Sequence, residues 1–191
     1  MPVVTAIRPG RRGQLLVELE GEVWRELPVD VVARTLLRVG TVLDRPRLRE
    51  LRRELRRAEA LGVAARALRY REHSHAGLDE RLRRAGVAER ERGQALETLE
   101  RVGYVDDARF AARRAEQLAA KDWGDAAIAA ELERQGVGRD AAGAAIAALE
   151  PERERALAVA GRRGSTPRTG AYLARRGFAE EALERFVAQD C

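Results

Sequence analysis

Three stretches of this 191-residue chain share one spacing, and that spacing limits the fold more than any other feature. Leu82, Gly86 and Val87 recur as Leu132, Gly136 and Val137, and again as Leu173, Gly177 and Phe178. The cause is helix termination. A glycine just past the last turn enters the left-handed region without a Cβ penalty, and the apolar residue after it folds back onto that turn. The match extends both ways. Nine residues after the apolar position stand Leu96, Ile146 and Val187, and twelve after it Leu99, Leu149 and Asp190. Four before the leucine come Leu78, Ile128 and Thr169, and eight before it Ser74, Gly124 and Ser165. Each unit therefore reads as a helix, a break of small or polar residues, a second helix, a glycine cap and a third helix. Helices of about 8–14 residues do not persist alone, so three must share a core. The leucines are 50 and 41 residues apart, too irregular for a strict solenoid.

The front of the chain follows a different rule. Val3–Ile7, Gln14–Glu20 and Val23–Leu27 are short β-prone runs separated by turns at Gly10–Gly13 and Gly21–Glu22. Pro28 suits the first turn of a helix that carries Val31, Val32, Leu36 and Leu37 on one side and stops at Val39 and Gly40. Asp44 is an N-cap candidate, with Pro46 in the first turn and Leu48, Leu51 and Leu55 as the apolar stripe. The expected fold is mainly α: an elongated array of three tandem three-helix modules behind a small β-hairpin or β-sheet element. The expected divisions are 1–43 for the β element and short helix, 44–60 for a linking helix, and 61–107, 108–150 and 151–191 for the modules. Such an array offers a long curved surface, better suited to an extended partner than to a closed catalytic pocket.

Composition narrows the function. The formal net charge is +5, almost all from arginine, because Lys121 is the only lysine. Residues 1–60 hold 13 arginines against 9 acids and residues 151–191 hold 8 against 6, leaving the middle near neutral. That excess can draw the chain toward a polyanion or an acidic protein but is modest for a DNA-coating protein. Aromatics at 4% supply no set of stacking platforms. Trp24 and Trp123 read as packing residues or as interface anchors. No apolar run approaches a membrane span, and the start of the chain lacks the pattern of a signal peptide, so a cytoplasmic location is expected. Cys191 is the one cysteine, which excludes an intrachain disulfide, and it is expected to be inert. There is no phosphate-binding G-x-x-x-x-G-K-[ST] loop, no G-x-S-x-G and no H-E-x-x-H. A non-enzymatic protein with no cofactor and no metal is expected.

Few residues suggest chemistry. Asp106 and Asp107 have no third ligand nearby in sequence, so one is expected to cap a helix starting near Ala108 while the other meets Arg109, Arg113 or a partner. His73 and His75 are two apart, which does not suit zinc, and Ser74 between them is an N-cap candidate for the second helix. Arginines recur near the ends of the repeat helices. Two readings stand for them: solvated groups that complement the helix dipole, or a basic stripe that meets phosphate or an acidic protein.

Several of these segments together resemble the RecX family. The resemblance rests on Ala67–Ser74, on Leu78–Val87, and on the junction Gly103, Tyr104, Val105, Asp106, Asp107, Ala108, Arg109, Phe110 and Ala111. It continues through Lys121, Gly124, Ile128, Glu131 and Leu132 to Gly136 and Val137. It covers residues 60–191 well and residues 3–57 more loosely. Gly77 departs from the family's usual glutamate, and the third unit, with Gly161–Pro167, diverges. The resemblance implies a partner rather than a reaction: RecX proteins bind the RecA recombinase, lodge in the groove of its nucleoprotein filament, and restrain filament growth, strand exchange and ATP hydrolysis. Some also bind DNA directly, so the alternative is a helical DNA-binding protein acting through arginine-rich faces. The implied contacts to RecA or DNA are Arg71, Arg83, Arg84, Asp106, Asp107, Arg109, Arg113, Lys121, Arg134, Arg175 and Arg176. No membrane partner is expected, and the chain is expected to be a monomer.

Overall fold

The computed structural model describes residues 1–187, with side chains to residue 184; the expectations for Val187, Asp190 and Cys191 lie outside the described side chains. Among the described residues there are ten helices and one three-stranded sheet. The chain forms two compact units, Met1–Tyr70 with Arg81–Thr98, and Arg71–Glu80 with Leu99 onward.

In the first unit β1 (Val4–Pro9), β2 (Gln14–Leu19) and β3 (Glu22–Pro28) form an antiparallel sheet in that order. Leu19 pairs with Glu22, so Glu20 and Gly21 make a two-residue turn with φ of 51° and 89°. Two positive φ values in succession match the right-handed twist of the flanking strands. The inner sheet face supplies Val4, Val17 and Leu27 to a core completed by Val31, Val32, Leu37, Leu43 and Leu51. The helix after Pro28 is shorter than its sequence suggests. α1 covers Val29–Arg34, and the Thr35 hydroxyl donates to the Val31 carbonyl at 2.8 Å where the helix stops. Leu36 then turns to φ 49° and is exposed, which corrects its expected place on the apolar side, while Leu37 is buried. α2 runs unbroken from Arg45 to Leu68, with the Asp44 carboxylate accepting from the Arg47 amide at 2.8 Å. The expected division at residue 60 thus falls inside one 24-residue helix. Arg56 on α2 donates to Glu91 of α4 (Glu89–Arg101) at 2.8 Å. That bond, above all, holds the Glu91 carboxyl below its ordinary value.

The repeated spacing produces the expected cap in all three modules. After α3 (His75–Arg84), α6 (Asp125–Arg134) and α9 (Pro167–Arg175), the glycines 86, 136 and 177 sit at φ 78°, 74° and 81°. Val87, Val137 and Phe178 each donate an amide to the carbonyl of Leu82, Leu132 and Leu173, at 3.1, 3.0 and 3.2 Å. The glycine amides bond one residue further on, to Arg83, Glu133 and Ala174, which completes the two-bond Schellman pattern. The three leucines are fully buried.

The second unit holds two complete modules. In the first, α5 (Asp107–Ala119), α6 and α7 (Arg139–Ala147) enclose Ala111, Ala115, Leu118, Ile128, Leu132, Val137, Ala142 and Ala145. In the next, α8 (Glu152–Arg163), α9 and α10 (Glu180–Val187) enclose Ala156, Val159, Ala160, Leu173, Phe178 and Leu183. Alanines on the facing stripes let these short helices approach closely, so few large side chains are needed.

Candidate interaction surface

The surface of the second unit is built on a joint that occurs twice. At its upstream end the Ser74 hydroxyl donates to the Gln135 carbonyl, and the Gly77 amide donates back to Ser74 Oγ at 3.0 Å. Asp107, the first residue of α5, accepts from the His75 amide at 2.7 Å and so caps α3. The same fittings reappear downstream. The Gly124 amide donates to the Arg176 carbonyl at 2.8 Å, and Glu152, the first residue of α8, accepts from the Asp125 amide at 2.6 Å. Gln135 and Arg176 both precede the capping glycine, and Asp107 and Glu152 both open the next first helix. An acid at a helix N-terminus satisfies an orphan amide and meets the positive end of the dipole. Here the acid comes from a neighbouring module. The second oxygen of Glu152 also accepts from the Ala179 amide at 3.1 Å, so one carboxylate ties the starts of α6 and α10.

The glycines at these joints serve a second purpose. A Cβ on Gly136 would lie 2.3 Å from the Ala76 Cβ, and one on Gly177 would lie 2.7 Å from the Ala127 Cβ. Gly86 has the same backbone but nothing within 4 Å of the equivalent position.

Charged groups near the joints are mostly committed to one another. Glu131 is 4% exposed and receives Arg114 at 2.6 Å, Arg134, and the Gln135 amide at 3.2 Å. Burial pushes its carboxyl up, but the bond and charge of Arg114, the charge of Arg134 and the Gln135 amide together outweigh that and hold it below its ordinary value. Arg155 is also buried. It donates to the carbonyls of Glu150 and Trp123 at 2.9 and 2.8 Å, meets the Asp125 carboxylate, and lies 5.6 Å from the Phe178 ring centre. Asp125 is raised, by burial first and by Glu152 beside it, against the pull of Arg155.

The residues singled out from sequence divide accordingly. Arg71 and Arg113 line a hollow of about 330 Å³ together with Glu72, Phe110, Arg114 and Gln135. Arg113 reaches Glu72 at 2.6 Å. Asp106 caps α5 through the Arg109 amide at 2.9 Å, and the Arg109 guanidinium spans Asp106, Glu72 and the Gly103 carbonyl. Asp107 is taken up by α3 and Arg134 by Glu131. Arg71, Lys121 and Arg175 are exposed and have no ion pair among the described residues. Arg176 stacks on Tyr172. Arg83 and Arg84 are exposed at the end of α3 and belong to the first unit. Sequence reasoning did not find Glu152 or Arg155, and it named Glu131 only as part of the Lys121–Leu132 resemblance, not as a buried acid. In a chain that is 35% charged nothing marks an acid or arginine as buried, and their partners are up to 32 residues away. Among the described residues no group of three or more His, Cys, Asp and Glu could hold a metal ion, and no helix is long and apolar enough to cross a membrane.

The chain is 35% identical over 150 residues to a regulatory protein RecX of Syntrophotalea carbinolica, covering 70% of this chain and 97% of that protein. It belongs to the RecX family. The family model for the second three-helix domain of RecX matches residues 106–146, from the Asp106 cap through α7. A regulatory protein RecX of Xanthomonas campestris pv. campestris is 33% identical over 144 residues, 69% of this chain and 86% of that one. Among solved structures, the crystal structure of a regulatory protein RecX matches with a TM-score of 0.82 over 99% of this chain and all of that one. RecX from Lactobacillus salivarius matches at 0.59 over 70% and 96%. Those two share 19% and 15% identity with this chain and speak for the RecX fold alone.

Proposed function

We propose that this chain binds RecA and the nucleoprotein filament RecA forms on DNA, and that it restrains filament growth, strand exchange and ATP hydrolysis without catalysing a reaction itself. The observation that carries this is the 35% identity to a regulatory protein RecX along 97% of that protein's length. The proposed presenting units are three helical modules, the last two at 108–150 and 151–191, which follow in sequence a β element at 1–43 and the helix α2. Of the second unit's cations singled out from sequence, Arg71, Lys121 and Arg175 are exposed with no ion pair among the described residues and are proposed to meet the partner, while Asp106, Asp107, Arg109, Arg113 and Arg134 hold the scaffold. The proposed setting is the cytoplasm, with the chain acting as a monomer. Added at substoichiometric amounts, the purified chain lowers the DNA-dependent ATPase of its cognate RecA. An unchanged ATPase at equimolar ratio refutes the reading.

A further inference from the structure

Each joint leaves a hollow beside it, and the two hollows occupy equivalent places. The upstream one measures about 330 Å³ and the downstream one about 300 Å³. Glu72 lines the first and Asp122 the second, each two residues before the joint position, Ser74 or Gly124. The opposite wall is the first helix of the following module. Phe110, Arg113, Arg114 and Gln117 stand three, six, seven and ten residues after Asp107, and Arg155, Ala158, Val159 and Arg162 stand at the same steps after Glu152. The fold repeats the cavity, and the side chains give it a different character each time.

The downstream hollow satisfies its own charges. Asp122, at φ 59°, receives Arg162 at 2.7 Å and the Tyr172 hydroxyl at 3.2 Å. Arg155 is spent on the Glu150 and Trp123 carbonyls and on Asp125. Glu116 and Glu150 add to the lining, so three carboxylates face two guanidinium groups. Ala158 and Val159 place no charge where the upstream hollow has Arg113 and Arg114.

The upstream hollow has the opposite balance. Arg71, Arg113 and Arg114 line it together with one acid, Glu72. Glu72 is shared by Arg113 at 2.6 Å and Arg109 at 3.6 Å, Arg109 also meets Asp106, and Glu131 is shared by Arg114 and Arg134. Arg71 is exposed and has no ion pair among the described residues. Five arginines thus stand against three carboxylates, an excess of two positive charges.

That excess selects a ligand. A guanidinium fork matches the oxygens of a carboxylate or a phosphate equally well. A carboxylate cancels one charge, whereas the phosphate of a monoester carries about 1.5 to 2 negative charges at neutral pH. A phosphate inside a nucleic-acid strand carries one, and its chain continues on both sides, which suits an open groove rather than a hollow. The volume lies at the small end of the range for small-molecule sites, about 300–1,000 Å³, and Phe110 supplies an apolar wall for an organic group.

We propose that the hollow between the loop before α3 and α5 binds a small phosphate monoester, with the phosphate on Arg71 and Arg113 and the organic group against Phe110. Arg114 stays on Glu131 and contributes its charge. Glu72 is a placeholder: it holds Arg113 in the empty site, and the phosphate displaces it there. Phenyl phosphate is the probe, titrated into the full chain by calorimetry and by amide NMR, with inorganic phosphate and phenol as its two halves. Arg71 is also proposed to meet RecA, so the test contains none and its outcome is separate from RecA binding. Phenyl phosphate binds saturably and shifts Arg71–His73, Phe110–Gln117 and Gln135 but not Ala158 or Arg162. Inorganic phosphate binds more weakly, and phenol does not bind. Arg71→Ala, with unchanged circular dichroism, loses about tenfold in affinity, as expected for a hydrogen bond between charged groups. Glu72→Gln removes the competing carboxylate and strengthens binding. Arg139→Ala, at an exposed arginine that opens α7, changes nothing. The proposal is overturned by an absence of saturable binding, by full affinity in Arg71→Ala, by weaker binding in Glu72→Gln, or by equal shifts at both hollows, which would mark adventitious anion attraction only.

Discussion

Gly86 and Gly136 adopt nearly the same backbone, at φ 78° and 74°, but only Gly136 meets a neighbouring module, with Ala76 2.3 Å from where its Cβ would be. Alanine at either position costs about 1–2 kcal/mol for the left-handed conformation. At Gly136 it also forces the joint apart, and overpacking of that kind adds about 1–3 kcal/mol. The expected difference between Gly136→Ala and Gly86→Ala is therefore about 1–3 kcal/mol. Urea unfolding measures it, with each variant followed by the tryptophan of its own unit, Trp123 or Trp24, in a background where the other tryptophan is phenylalanine. A double-mutant cycle isolates the contact. Ala76→Gly removes the opposing methyl and leaves the Ala76 Cα, at 3.8 Å, as the next neighbour. Glycine in the first turn of α3 costs up to about 1 kcal/mol alone, but in the Gly136→Ala background it restores about 1–3 kcal/mol. Equal losses for the two glycine variants, or strict additivity in the cycle, would refute the close-approach reading.

Two further outcomes follow from the charges at the joints. Glu131 titrates below its ordinary value of 4.5 in the folded chain, so it contributes stability above that value and loses it as pH falls through the folded pKa; Glu131→Gln flattens the acid limb of stability below about pH 4.5, and an unchanged limb would show that Arg114 and Arg134 do not stabilise the carboxylate. Glu152→Ala leaves the amides of Asp125 and Ala179 without their acceptor, for a loss of about 1–3 kcal/mol and faster hydrogen exchange at the starts of both α6 and α10; faster exchange at only one of them would contradict the shared cap.

What could be read from sequence was local. The cap formed by Leu132, Gly136 and Val137 depends on residues within one turn of one another, so its spacing predicts the structure. Asp44 and Asp106 cap helices that begin one residue later, and they too were legible. The failures come from contacts at a distance. Leu36 follows an apolar pattern that points inward, but Thr35 returns its hydroxyl to Val31 and ends the helix before that pattern is complete. One of Asp106 and Asp107 is expected to meet an arginine or a partner; Asp107 instead meets the amide of His75, 32 residues upstream. Asp122 carries no sign in sequence of a left-handed turn, because the usual sign is glycine. Arg163 takes its place from the Tyr172 ring, and Tyr172 from Asp122, 50 residues upstream.

The doubled joint bears on how such a chain can grow and change. A module of this kind carries a receiving part, the capping glycine at the end of its middle helix together with the acid that opens its first helix. It also carries a donating part, the small residue and free amide where that middle helix starts. Both parts lie within one copied segment, so a tandem duplication supplies working attachments at once, before any substitution adapts the new copy. The helix faces between them are then free to diverge toward different partners. In the last module the middle helix starts with Pro167, which has no amide hydrogen, and is capped by its own Thr166. That module therefore has the part that receives, in Gly177 and Glu152, and lacks the part that donates.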